Sequence, residues 1–152
     1  MLAGREQKLS CCMKDWEPFE SSCYYFSKDI DTWNGSRKKC TNMNSTLVVI
    51  TSETEQVFLI RKGKEETITY YKKPPENFCI GLSREETKWQ WVDQTPTSSN
   101  EMFWKPYEPS SHKGEDCVVM YVRGNQDLKN WNNVMCSSSK HYYICETMPV
   151  NF

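Results

Sequence analysis

The 152-residue chain carries nineteen Lys and Arg against twenty Asp and Glu, a formal net charge of −1, so no electrostatic field favours nucleic acid or an anionic membrane as a partner. Its length suits one domain with a sizeable core, and no apolar run is long enough to span a bilayer. Eight cysteines and two histidines without paired zinc-type spacings exclude an ordinary structural zinc site and fit a disulfide-stapled extracellular domain.

Residues 1 to 10, MLAGREQKLS, are polar, unpatterned and lack a signal-peptide core, and they read as a stalk or expression remnant. The aromatic segment WEPFESSCYYFS (16–27) suits a pair of short strands. Trp33, Cys40 and Met43 recur at helical spacing, with Lys38 and Lys39 turned outward. Two sequons, Asn34-Gly35-Ser36 and Asn44-Ser45-Thr46, make Asn34 and Asn44 candidate glycosylation sites, in keeping with the extracellular setting.

TLVVI (46–50) predicts a buried strand. It runs into Ser52-Glu53-Thr54-Glu55, a capping box that opens a second helix over about 52 to 62, burying Phe58 and Leu59. Residues 63 to 77, with Pro74-Pro75, read as a connector; Lys62, Lys64, Lys72 and Lys73 form a small basic cluster best explained as solvated surface. FCIGLS (78–83) and KWQWVDQTP (88–96) predict two more strands. A long polar stretch reaches to about residue 116, and such a loop in a compact domain is usually functional. CVVMYV (117–122) and HYYICE (141–146) supply closing strands, so the pattern is that of an α+β domain with antiparallel sheet.

Taken together, the CC opening, LVVI, CIGL, WQWVDQTP, the Glu-Pro-Ser loop, GEDC, Trp-Asn-Asn and the final Tyr-Ile-Cys-Glu are specific. On these motifs the chain resembles a C-type lectin-like domain over roughly residues 11 to 147. The CC start and the WQWVD-x-TP segment resemble the myeloid C-type lectin receptors of the Mincle and dendritic-cell immunoreceptor cluster. The resemblance implies an α+β fold of two helices, two small antiparallel sheets and a long irregular ligand-binding loop. The lectin-like domain would span 11–148, with residues 149–152 as a C-terminal tail. It also implies disulfides Cys12–Cys23, Cys40–Cys145 and Cys117–Cys136; sequence alone leaves the pairing open. Cys79 then reads as a buried small hydrophobe. Cys11, beside the stalk, is a candidate for an interchain bridge in a homodimer or heterodimer, and a Cys11–Cys79 pair is the alternative.

For the site, the resemblance implies a calcium ion held by Glu108, Ser110, Glu115, Asn132 and Asn133, the same side chains meeting vicinal sugar hydroxyls, with Pro109 in a cis peptide. Calcium takes about six to eight oxygens at roughly 2.3–2.6 Å. Two departures matter: Ser110 replaces an amide, and Asn133 replaces an aspartate, leaving two acids where three are usual. An amide nitrogen offers nothing to a cation. Extracellular calcium modules sit at a Kd of about 10⁻⁴–10⁻³ M, with little affinity to spare. The family's auxiliary calcium site is expected to be absent, because Ser83 stands where an acid is needed and mainly Glu115 and Asp116 remain. Tyr107 is a candidate to stack on a sugar ring or acyl chain. His112 and His141 read as surface or packing residues.

The leading expectation is the ectodomain of an immune cell-surface receptor, a single-pass type II membrane protein, binding mannose-type glycans or glycolipids through calcium. The alternative is a calcium-independent domain that recognises a protein. The residues name neither a signalling adaptor nor the sense of signalling, and any anchoring or signalling segment is expected to lie outside this sequence. An enzyme is not expected: there is no Gly-x-Ser-x-Gly, no His-Glu-x-x-His and no phosphate-binding glycine loop.

Overall fold

The computed structural model describes residues 10–70, 77–122 and 128–151; residues 1–9 of the expected stalk, Lys72, Lys73 and Pro74-Pro75 lie outside them. The first described strand is β1 (Ser10–Cys11), which pairs antiparallel with β10 (Val150–Asn151). The segments expected to flank the domain are therefore joined to each other. Next come β2 (Glu17–Phe19) and β3 (Ser22–Phe26), the short aromatic hairpin expected from residues 16 to 27.

Helix α1 (Trp33–Asn42) begins at Thr32, whose hydroxyl accepts the Gly35 N–H at 3.0 Å. Trp33 and Cys40 are buried along one face, and the Trp33 indole donates to the Ile80 carbonyl at 2.7 Å. Of TLVVI, Leu47 to Ile50 are buried as expected while Thr46 is exposed, and only β4 (Thr46–Leu47) joins a ladder. Beyond it the backbone finds partners of other kinds. The Val48 N–H donates to the Ile144 carbonyl, the Val49 N–H to the Glu146 carboxylate, and the Val48 carbonyl accepts from Gly81.

Helix α2 (Glu53–Tyr70) runs well past the expected end near residue 62. Gly63 does not stop it, because a side chain there would press on Val122 Cγ1 at 3.0 Å; the glycine is present for close packing. The capping box forms with one shift. Ser52 Oγ accepts the Glu55 N–H at 3.1 Å, while the Glu55 carboxylate accepts from the Thr51 N–H at 2.9 Å instead of the Ser52 N–H.

The remaining strands are β5 (Asn77–Glu85), β6 (Lys88–Trp91), β7 (Cys117–Tyr121), β8 (Trp131–Val134) and β9 (Tyr142–Thr147). The main path runs β2-β3-β9-β5-β7-β8, with β4 on β9 and β6 on β5. The α+β class is as expected, but the two small antiparallel sheets are joined into one mixed sheet. The join is a short parallel pairing of β5 with β9, Phe78 opposite Tyr142 and Cys79 opposite Tyr143. Disulfides Cys12–Cys23, Cys40–Cys145 and Cys117–Cys136 all form; Cys11 is exposed, Cys79 is buried, and both are free. Burial pushes the Cys79 thiol up to about 12, which leaves it a packing residue. Among the described residues no helix is long and apolar enough to cross a membrane.

Candidate functional site

The foundation of the site is Trp131. It is fully buried against Trp91, Phe103 and Trp104 in near-perpendicular ring contacts, and it starts β8. Its indole N–H donates to Gln56 Oε1 at 3.1 Å. The Gln56 amide in turn donates to Asn130 Oδ1 at 2.7 Å and to the Leu128 carbonyl at 2.8 Å. Asn130 Nδ2 completes the chain on the Tyr121 carbonyl at 2.6 Å. Gln56 and Asn130 are both 0% exposed. A satisfied buried polar network of this kind fixes one strand position. Nothing in the apolar periodicity marks either residue.

From that base, β8 pairs with β7, Val118 opposite Asn133 and Val119 opposite Asn132, and Cys117–Cys136 ties the far ends. Neighbours in a strand face opposite ways. Asn133 is thus buried at 2% exposure while Asn132 stays half-buried. The loop is anchored to the same strand by a Trp104–Trp131 bridge and by the Lys105 N–H on the Trp131 carbonyl at 3.0 Å. It then turns: the Glu108 N–H donates to the Lys105 carbonyl at 3.0 Å, and the Glu108–Pro109 peptide is cis, as the resemblance implied.

Asn133 ties the loop's centre together. Its Oδ1 accepts the Ser110 N–H at 2.9 Å, and its Nδ2 donates to the Glu115 carbonyl at 2.7 Å, the Ser110 carbonyl at 3.1 Å and Ser110 Oγ at 3.2 Å. A backbone N–H at one end and carbonyls at the other fix the orientation of the amide. Ser110 Oγ also donates to Glu115 Oε1 at 2.7 Å. His112 Nδ1 lies 3.4 Å from the same carboxylate oxygen, an ion pair only when the imidazole is protonated. Five of the six expected site residues thus divide into three groups. Ser110, Glu115 and Asn133 are hydrogen-bonded to one another; Glu108 is one peptide away across Pro109; Asn132 stands on the neighbouring strand position.

Two expected residues are distinguished by exposure. Tyr107 is 101% exposed with φ of 69°, a left-handed conformation unusual for an aromatic residue. Glu108 Oε1 is buried without a hydrogen-bond partner. This orphan oxygen is what a cation or a ligand hydroxyl would satisfy, and with Glu115, Ser110 Oγ and the Asn132 amide it makes an oxygen-rich donor set compatible with calcium. Asn133 fits less well, since its oxygen is engaged and its nitrogen faces carbonyls. Among the described residues no group of three or more His, Cys, Asp and Glu side chains converges as a cation cage.

Arg84 escaped the sequence reading. In β5 it follows Ser83, the residue pairing with Cys117, and the antiparallel register brings it beside Asp116. Its guanidinium donates to Asp116 Oδ1 at 3.0 Å and to the Glu115 and Ser110 carbonyls at 3.2 and 3.3 Å. No signal in the sequence pointed to it, because Arg84 and Asp116 become neighbours only once β5 and β7 are in register.

A second acidic feature lies away from the loop. Glu146 accepts from Ser22 Oγ at 3.0 Å and the Val49 N–H at 3.1 Å, and Glu55 accepts from Tyr24 at 2.7 Å. Burial, then the nearby Glu55 charge, pushes the Glu146 carboxyl up to about 7, and burial also raises Glu55.

Residues 29–147 match the family model described as the lectin C-type domain. The chain is 42% identical over 152 residues to human C-type lectin domain family 4 member E, an alignment covering 97% of this chain and 64% of that protein. It is 36% identical over 148 residues to human C-type lectin domain family 4 member A, covering 96% of this chain and 58% of that protein. The chain therefore spans about three fifths of the length of these curated relatives. Among solved structures, the C-type lectin domain of murine dendritic cell inhibitory receptor 2, in complex with N-glycan, is 32% identical with a TM-score of 0.74, covering 91% of this chain and 99% of that one. The cow C-type carbohydrate-recognition domain of CD23, in the presence of a GlcNAc2Man3 oligosaccharide, is 28% identical with a TM-score of 0.75, covering 93% and 99%. With fold, disulfides, loop and family model in agreement, the chain belongs to the family of C-type lectin domains.

Proposed function

We propose that this chain is the ligand-binding ectodomain of an immune cell-surface receptor, of single-pass type II topology, that binds mannose-type glycans or glycolipids at the loop from Tyr107 to Glu115 and the adjoining Asn132 and Asn133 of β8. The observation that carries the reading is the buried, donor-free Glu108 Oε1. An anionic oxygen left unpaired away from water is costly, and a ligand that supplies a positive partner there gains binding energy. Glu108, Ser110, Glu115 and Asn132 would hold a calcium ion, and Asn133, whose oxygen already accepts the Ser110 N–H, would stand beside it as the weakest member of the set. When bound, that ion would draw in two vicinal hydroxyls as further oxygen ligands. Glu108 accepts from one hydroxyl, the half-buried Asn132 amide donates to the other, and the exposed Tyr107 ring covers the sugar's apolar face or an acyl chain. The protein's task is binding, without bond making or breaking. Exposed Cys11 would bridge to a like or unlike subunit, and the exposed Asn34 and Asn44 would carry glycans.

A second reading, a calcium-independent domain for a protein ligand, is favoured by one specific observation: the Asn133 amide is already engaged by the protein at both ends. Calorimetric titration of the purified domain with calcium, then mannose-type glycan binding with and without EDTA, separates the two. Calcium heat with EDTA-sensitive glycan binding supports the first reading. An unaltered melting temperature in millimolar calcium with no glycan signal overturns it in favour of the second.

A further inference from the structure

Two side chains from opposite sides converge on the same two carbonyls of the long loop. Asn133 on β8 donates to the Ser110 and Glu115 carbonyls, and Arg84 on β5 donates to both as well. Each carbonyl oxygen has two lone pairs, so both donors are accommodated. Arg84 is itself held firmly. Its backbone N–H donates to the Asp116 carbonyl at 2.7 Å, its Nε donates to Asp116 Oδ1, and its guanidinium lies over the Trp89 ring at 4.8 Å. The arginine side chain is 16% exposed and Asp116 is 43% exposed. The ion pair alone, at such an exposed acid, contributes little. The planar fork reaching two carbonyls is what distinguishes Arg84 from a surface charge, and a guanidinium is permanently charged at any physiological pH.

We propose that Arg84 and Asn133 are positioning residues that keep the loop in its binding shape without a metal ion. Arg84 is a fixed internal cation beside Glu115 and Asp116, and the Asn133 amide is a fixed internal donor beside Ser110 and Glu115. Both belong to the chain, so the order they impose does not depend on calcium concentration. Calcium, where it binds at Glu108, then serves contact with ligand and not the ordering of the loop. The inference holds whether the ligand is a sugar or a protein, so its failure and that of the functional reading are separable.

Hydrogen exchange on the whole domain, in EDTA and in millimolar calcium, tests it. In the wild type the amides of Ser110 and Glu115 exchange at rates agreeing within about twofold in the two buffers. R84A raises their exchange in EDTA by about tenfold or more, while amides of the β3–β9 ladder are unchanged. R84Q, which keeps a planar amide with two donors, recovers part of the protection; R84K, which keeps the charge without the fork, recovers less. Should R84A weaken the β3–β9 ladder too, R84Q against wild type becomes the deciding comparison: faster loop exchange over an intact ladder supports the proposal, and unchanged loop exchange overturns it. A wild-type loop that exchanges freely in EDTA and is protected only by calcium overturns it as well, even if calcium-dependent glycan binding is found.

Discussion

Asn133 is where a single atom changes what the loop is. In an aspartate, the oxygen replacing Nδ2 would face the Glu115 and Ser110 carbonyls at about the 2.7 and 3.1 Å now occupied by hydrogen bonds. N133D should therefore lose about 1–3 kcal/mol of stability in EDTA, the cost of a buried group left without a donor. Calcium should return that loss and bind more tightly than to the wild type. Thermal melts of both proteins with and without calcium check this, and a variant as stable as wild type in EDTA would refute it. Tyr107 makes the complementary case. Its left-handed backbone costs the fold free energy, and its fully exposed ring contributes no packing in return. Y107G should raise stability by up to about 1 kcal/mol while weakening ligand binding. Urea denaturation beside a glycan-binding assay separates the two effects.

At the level of elements, strand β5 is the junction between the two ladders, and Gly81 sits where it is most constrained. A side chain there would meet the Leu47 and Val48 carbonyl oxygens at 2.7 and 2.9 Å, backbone atoms that cannot step aside. G81A should cost about 1–3 kcal/mol or more from overpacking, read as a lower urea midpoint at unchanged m-value. The CIGL motif marked this strand in the sequence, and the alternation of KWQW marked its neighbour β6. The length of α2 was not legible in the same way. Gly63 looks like a stop signal until Val122, nearly sixty positions on, is seen packed against it. Nor was the short ladder of β4, because burial of Val48, Val49 and Ile50 is equally served by irregular backbone whose donors find distant partners.

For the molecule as a whole, stability depends on a covalent frame and on a pair of neighbouring acids, Glu55 buried and Glu146 half-buried. Cys40–Cys145 spans 105 positions and is worth about 4–5 kcal/mol in the chain-entropy model. Glu146 is held up near 7 against an ordinary 4.5, with Glu55 raised beside it. Between those values the folded state binds a proton that the unfolded chain has released. Stability is therefore greatest below about 4.5 on this account and falls as pH rises towards 7. E146Q, measured in EDTA, should flatten that slope; a variant with the wild-type slope between pH 4.5 and 7 would show the acid elsewhere.

The sequence by itself determined the α+β class and the motifs that carry the family resemblance, and through that resemblance it implied the three disulfides and the addresses of the loop residues. These are carried by local motifs and by residue types whose chemistry is the same wherever they sit. Only the tertiary structure decided what Asn133 does, that Arg84 belongs to the loop, and that Gln56 and Asn130 seat Trp131 beneath it. The reason is physical: a hydrogen-bond donor acquires its role from the acceptors brought within about 3 Å of it. Those acceptors came from strands and turns far away along the chain.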